Sequence, residues 1–391
     1  MSASRDPRTP LGPNTALVAT GRDPLQQHGF VNPPTYRGST VLYPNAEDLF
    51  AHRNKYSYGR RGSPTIDALT GAINELEGAA GTVLTPSGLS AVTTAMLSAV
   101  RAGDHFLVVD SAYNPGRHFC DTTLKDFGVE TTYYDPLVGA GIADLIRPNT
   151  KAILTESPGS LTFDVQDVPA IVEVAHRAGV LVLMDNTWAT PLFFKPLEHG
   201  VDISIQAGTK YISGHSDIMI GTVSANRDAW ARLHNTHGNL GLTVGPDDIS
   251  LALRGLRTMG IRLARHQETG FALARWLQSR PEVAQVMHPG LETDPGHAIW
   301  KRDFSGASGL FGFELREGYS QADIERFLNS LTLYGMGYSW GGFESLIIPF
   351  DTRGRSLPSR FKGRTLRIHA GLEDVEDLIA DLDRAFPALR G

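Results

Sequence analysis

Val180-Leu181-Val182-Leu183-Met184-Asp185 is followed, 25 residues beyond that aspartate, by Lys210 at the end of Val201-Asp202-Ile203-Ser204-Ile205-Gln206-Ala207-Gly208-Thr209-Lys210. Short apolar or alternating runs that stop at turn residues predict buried strands. Asp185 and Lys210 therefore each fall at the carboxyl end of a strand, the edge at which open α/β sheets bind ligands. An amine that condenses with an aldehyde, a carboxylate that keeps a ring nitrogen charged and the hydroxyl of Thr209 beside them are what pyridoxal phosphate needs.

Outward from this pair, strand-like and helical runs alternate. The pattern reads Thr82–Leu84, helix 88–100, Phe106–Asp110, helix 115–126, Val129–Asp135, Lys151–Glu156, helix 167–178, Val180–Asp185, Val201–Gln206 and Asp217–Ala225. Such alternation predicts an α/β fold with a mostly parallel central sheet and helices on both faces. Ser63 as cap, Pro64 at the first helical position and the spacing of Ile66, Leu69, Ile73 and Leu76 predict a helix that Gly78 stops. A long helical stretch from about Asp247 to Ser279 leads out to a smaller C-terminal α/β domain, with strands near 283–287, 309–315 and 365–370 and helices near 321–330 and 373–385. The expected division is an N-terminal arm over 1–62, a large domain over 63–246, and a linking helix with the small domain over 247–391. The first 21 residues, carrying Pro7, Pro10, Gly12 and Pro13, show no periodicity and are expected to carry no core.

Composition excludes several classes. Lys and Arg number 36 against 42 Asp and Glu, a net charge of -6, with no basic stripe to advertise nucleic acid. No run approaches the roughly 18 apolar residues of a membrane span. Cys120 is the single cysteine, so no internal disulfide forms; a cytoplasmic location and a packed thiol are expected. His234 and His237 have helical metal-ligand spacing, but nothing completes a site, and no metal is expected. Gly139-Ala140-Gly141 lacks the setting of a dinucleotide fingerprint.

Other candidates gather around the same strand ends. Thr85-Pro86-Ser87-Gly88-Leu89-Ser90 joins a strand to a helix whose free amides suit a phosphate, though an ordinary capped helix start reads the same way. Tyr113, just past the strand 106–110, has a ring suited to stacking on a flat cofactor. In Arg364-Thr365-Leu366-Arg367-Ile368-His369, Arg367 faces opposite Leu366 and Ile368, so its fork is placed either to grip an amino-acid carboxylate or simply to meet solvent.

The chain resembles the Cys/Met-metabolism family of pyridoxal-phosphate enzymes over roughly residues 22–391. The motifs that carry this are Tyr58-Gly59-Arg60-Arg61-Gly62, Glu156-Ser157-Pro158-Gly159-Ser160, Asp185-Asn186-Thr187-Trp188, Ala207-Gly208-Thr209-Lys210-Tyr211, Tyr338-Ser339-Trp340-Gly341-Gly342-Phe343-Glu344-Ser345-Leu346 and Gly371-Leu372-Glu373-Asp374. The resemblance implies the aspartate aminotransferase-like architecture, fold type I. It also implies that Lys210 carries the cofactor, Asp185 holds the pyridine nitrogen and Tyr113 stacks on the ring. Ser87, Gly88, Leu89 and Thr209 would cradle the phosphate, joined by Tyr58 and Arg60 of a neighbouring subunit in a homotetramer built from dimers. Arg61, Tyr113, Tyr338, Ser339, Trp340 and Arg367 would contact the substrate, an amino-acid thioether. Tyr338 and Trp340, where γ-acting relatives show other residues, favour β-elimination: cystathionine would give homocysteine, pyruvate and ammonia, and cystine-like substrates would also react. The alternatives are a γ-eliminating or γ-replacing member of the family and a silent protein that retains only the fold. Two departures stand out: Ala207 lacks a hydroxyl common among relatives, and His118 stands where some β-lyases have an acid.

Overall fold

Seven strands build the larger sheet in the computed structural model, which describes residues 11–390. They are β1 (Gly81–Thr85), β2 (His105–Val109), β3 (Glu130–Tyr134), β4 (Thr150–Glu156), β5 (Leu181–Asp185), β6 (Ile203–Gln206) and β7 (Gly221–Ala225), in the order β1-β7-β6-β5-β4-β2-β3. All neighbours are parallel except β7, which runs antiparallel to β1 and β6. Strands β2, β5, β6 and β7 are covered on both faces, and none of their residues is exposed, the polar ones of β6 and β7 included. Chain order reverses where β4 lies beside β2, which opens a crevice at the carboxyl ends of those strands.

Local chemistry sets the helices around this sheet. Ser63 accepts from Ile66 N–H and Gly78 takes a left-handed φ of 67°, bounding the helix Pro64–Glu77 as the sequence predicts. Ser87 caps Gly88–Ala99 in the same way, accepting from Ser90 N–H at 3.1 Å. The long helix, Pro246–Gln278, starts with Pro246, Asp247 and Asp248 in its first turn, where proline needs no hydrogen bond and negative charge meets the positive dipole end. Beyond it lies a fully antiparallel sheet of β8 (Val283–Met287), β9 (Leu310–Leu315), β10 (Leu346–Phe350) and β11 (Thr365–His369), in the order β10-β11-β9-β8.

One expectation is corrected outright. Within the first 21 residues, Pro13–Ala19 is a helix whose Leu17 is 1% exposed and packs into a core with Leu69, Leu256 and Met259. Its C-terminal carbonyls are held by a side chain far along the chain: Arg257 Nη1 donates to Leu17 O and Thr20 O, each at 2.6 Å. About two turns of helix carry too few apolar residues to show a period, so only the partner reveals it. Residues 1–10 of that segment lie outside the described residues. Strand 217–225 is shorter than predicted, pairing only over Gly221–Ala225, and helix 115–126 is Asn114–Phe119 followed by a π-helical turn over Cys120–Leu124. Strand β10 escapes the pattern because it contains Pro349, which a strand tolerates at a sheet edge, and β10 is an edge. Cys120 is buried, as expected, with its Sγ 3.9 Å from Met96 Sδ and its pKa pushed up to about 12 by burial.

Candidate active site

Three carboxyl-end positions converge because their strands are neighbours in register. Glu156 on β4 lies opposite Asp185 on β5, and Asp185 lies opposite Ile205 on β6, whose next turn carries Lys210. Thr187 organises the floor between them. Ala207 N–H donates to Thr187 Oγ1 at 2.9 Å, and Thr187 donates to Asp185 Oδ1 from Oγ1 at 2.5 Å and from its backbone N–H at 3.0 Å. Both bonds fall on one carboxylate oxygen, which leaves the other without a described partner.

The electrostatics of Asp185 ask for a cation. Burial raises its pKa, and only the Thr187 hydrogen bonds and the Lys210 charge pull it back. A protonated ring nitrogen against the free oxygen would stabilise the charged form, so the site fits a pyridinium. Glu156 is held well above the ordinary carboxyl range, by burial first and by Asp185 second. Its Oε2 accepts Tyr113 N–H at 2.7 Å, which ties the turn bearing Tyr113 to the floor of the site.

Lys210 is the opposite case. Burial first, then the positive charge of Arg367, lowers its pKa to about 8 against the pull of Asp185. An amine so poised has a substantial neutral, nucleophilic fraction at physiological pH. Its Nζ donates to Ser339 Oγ at 2.6 Å and lies 5.4 Å from the centre of the Trp340 ring. Arg367, on β11 and 9% exposed, donates from Nη2 to Ser339 O at 2.8 Å, and burial lowers its pKa to about 10. Of the residues predicted as substrate contacts, Ser339 bonds the lysine directly, Trp340 lies beside it and Arg367 connects to it through Ser339. Tyr338 extends from the same turn and is 91% exposed.

At the other flank, the N-terminus of helix Gly88–Ala99 abuts the Lys210 turn. A Cβ on Gly88 would come within 2.5 Å of Ala207 Cβ, so glycine is required for the two backbones to form one cradle. Unpaired amides of the first helical turn, at Gly88 and Leu89, are the natural phosphate donors. Thr209 is already engaged: its Oγ1 donates to Ile220 O at 3.2 Å and accepts Ile220 N–H at 3.0 Å. A bond to phosphate would replace the one to the Ile220 carbonyl.

Tyr58, Arg60 and Arg61 do not join this cluster through any described bond. Arg60 Nη1 donates to Gly238 O at 3.1 Å, Arg61 packs against Gly238, and Tyr58 is 47% exposed. His237 Nε2 donates to Leu84 O at 2.8 Å. Among the described residues no cluster of three or more His, Cys, Asp or Glu could hold a metal ion, and no helix is long and apolar enough to cross a membrane. Sequence reasoning assigned no role to Thr187 or Glu156, although both stand inside quoted motifs; their roles depend on strand register.

Comparison with known proteins agrees with this geometry. The profile of the family described as Cys/Met metabolism PLP-dependent enzyme matches residues 14–387. The chain is 55% identical over 381 residues to a putative cystathionine beta-lyase of Rhizobium johnstonii, covering 96% of each chain. It is 43% identical to cystathionine beta-lyase MetC of Escherichia coli, covering 95% of this chain and 98% of that one. The solved structure of cystathionine gamma synthase from Xanthomonas oryzae pv. oryzae superimposes with a TM-score of 0.90 at 33% identity, over 98% of this chain and 99% of that one.

Proposed function

The chain belongs to the Cys/Met metabolism family of PLP-dependent enzymes, and from that premise we infer that it is a carbon–sulfur lyase that cleaves cystathionine by β-elimination. The observation that carries the reading is Lys210: an amine brought down to about 8 by burial, held between Ser339 and the Asp185 floor at the sheet's carboxyl edge. Fold alone does not choose between β and γ chemistry, because the γ-synthase shares it. The choice rests on relatives 43–55% identical that bear the β-lyase name, and on Trp340, which walls the lysine where γ-acting relatives differ.

Asp185 would hold the cofactor's ring nitrogen, Tyr113 would stack on the ring, and Ser87, Gly88, Leu89 and Thr209 would hold the phosphate. When bound, pyridoxal phosphate supplies the electron sink for the pair left as a Cα proton departs. Arg367 takes the substrate carboxylate in its fork, with Ser339 beside it, and so presents the Cα–H bond to Lys210. The Lys210 amine removes that proton and returns one to the leaving sulfur. Overall, the Cβ–S bond breaks, one water is consumed, and homocysteine, pyruvate and ammonia are released. Tyr338 and Trp340 would line the path to the thioether's distal end.

The reading extends to assembly. Apolar side chains along residues 25–50 stand in solvent within one chain, Leu42 and Phe50 each 84% exposed. A second copy is the natural cover, bringing its Tyr58 and Arg60 to the phosphate, as dimers within a homotetramer. A cytoplasmic setting suits the single reduced thiol. Incubation with cystathionine and chromatography of the products tests the function: pyruvate with homocysteine supports β-elimination, and 2-oxobutyrate with cysteine supports the γ-eliminating alternative.

A further inference from the structure

The turn that carries Ser339 is conformationally costly, and something must hold it. Ser339 has φ +89°, a region that side-chain-bearing residues rarely adopt, and Gly341 follows at +85°. A Cβ on Gly341 would lie about 3.1 Å from the backbone of Lys210 and Tyr211, so the turn presses directly on the lysine's main chain. Its hydroxyl contact with Lys210 and its carbonyl contact with Arg367 both depend on that placement.

His369 is the group that reaches the turn from beneath. It follows Arg367 by two residues on β11 and so shares its face of the sheet. Gly341 N–H donates to His369 Nε2 at 3.1 Å, and Gly342 O lies 3.2 Å from the same nitrogen. The His369 ring is fully buried, 5.1 Å from the ring of His266 and 6.2 Å from that of Tyr211. His266 is tied by Nδ1 to Ala370 O at 2.7 Å, and Tyr211 lies edge-on to Trp340 at 5.4 Å. One nitrogen on each histidine, His266 Nε2 and His369 Nδ1, is buried without a hydrogen-bond partner. Accepting from Gly341 at Nε2 leaves the His369 proton on Nδ1, while donating to Ala370 from Nδ1 leaves His266 Nε2 a bare acceptor. The two unpartnered atoms lie on neighbouring rings whose centres are 5.1 Å apart.

We propose that His369, backed by His266, is a positioning residue: it holds the Ser339–Gly342 turn against Lys210 and thereby sets how the lysine amine is presented to cofactor and substrate. The proposal rests on the reading that Lys210 carries the cofactor. Both rings stay neutral in this role, since burial pulls His369 well below the ordinary histidine range and His266 down to about 4. The essential contact is the acceptor at Nε2, not the bulk of the ring.

The test compares His369→Ala, His369→Gln and His369→Asn in the full chain. A glutamine places its terminal amide near the position of Nε2, and an asparagine places its own near Nδ1. Two readouts are taken well below melting: the rate at which added pyridoxal phosphate develops the absorbance of the lysine linkage after cofactor removal, and kcat against KM for cystathionine. Loss of the turn's placement should slow linkage formation and lower kcat by about tenfold in His369→Ala, given that small misplacements at a reacting centre cost up to about a hundredfold. His369→Gln should recover most of both, and His369→Asn should not. Linkage rate and kcat within twofold of the parent in a folded His369→Ala would overturn the proposal, as would an asparagine that restores better than glutamine. Should the alanine variant fail to fold, the glutamine–asparagine ranking alone decides. Lys210→Ala run alongside separates the premises: a linkage that survives it removes the reading of Lys210, whereas its loss beside unaffected His369 variants removes only the role of His369.

Discussion

The cleft around Lys210 and residues 23–62, within the 1–62 segment proposed as an arm, make opposite use of their surroundings. In the cleft, the chain supplies nearly every partner itself: Thr187 for Asp185, Tyr113 for Glu156, Ser339 for Lys210. In the arm, polar groups fasten the backbone, as when Tyr36 N–H donates to Thr65 Oγ1 at 2.8 Å and Arg37 pairs with Asp247, yet the apolar side chains point outward, Leu25 at 90% exposure and Phe30 at 73%. Monomeric proteins rarely leave so many large apolar groups bare along one segment. The contrast teaches that the bonds around Lys210 are made within one chain, while residues 23–62 leave large apolar side chains uncovered by it.

Breaking the cleft should abolish turnover without disturbing assembly. Lys210→Ala is expected to erase the absorbance of the cofactor–lysine linkage and to lower kcat by about 10⁴-fold or more, since it removes both the anchor and the proton carrier. Its sedimentation profile should match the parent; a change of oligomeric state would show the two regions to be coupled.

Breaking the arm should do the reverse. Leu42→Asp with Phe50→Asp places two charges where a partner would bury apolar surface, and is expected to shift sedimentation toward smaller species and weaken retention of pyridoxal phosphate by about tenfold or more. An unchanged oligomer would dismiss the arm as an interface.

A third effect belongs to the cleft alone and carries a pH sign. Lys210 has a native pKa of about 8 against 10.5 for the ordinary amine, so between these values the unfolded chain binds more protons than the native one. Stability without cofactor therefore rises across that window and is lost as pH falls toward 8. Lys210→Met removes this dependence, and its stability advantage should shrink by on the order of 2–3 kcal/mol from pH 8 to pH 10.5. Denaturant melts of the cofactor-free proteins measure it, and parallel pH curves for parent and variant would contradict the burial of a neutral lysine.

The smallest expected change is Thr187→Val. It strands Ala207 N–H and removes one of the two hydrogen bonds to Asp185 Oδ1, costing about 1–3 kcal/mol in stability and lowering kcat about tenfold, with assembly intact. Thermal melts and kcat measured together check both halves of that expectation.

Lys210, Asp185 and the helix after Ser87 were legible in the sequence because each lies at the end of a short apolar run, where local pattern alone predicts a strand edge. Glu156 and Thr187 were not, because what they do depends on which strands become neighbours. The role of His369 is more remote still, joining positions 341 and 369 across a turn whose φ values no residue pattern announces. The helix Pro13–Ala19 hid for the same reason, being visible only through Arg257, some 240 positions away. Local periodicity thus locates the elements, and register between distant elements completes the site.

The account turns on one covalent attachment, and borohydride reduction of the holoenzyme followed by mass mapping of its peptides tests it most directly. The result expected is a pyridoxyl group on the peptide containing Lys210 and on no other. A label on a different lysine, or none on a preparation that still releases pyruvate from cystathionine, would contradict it.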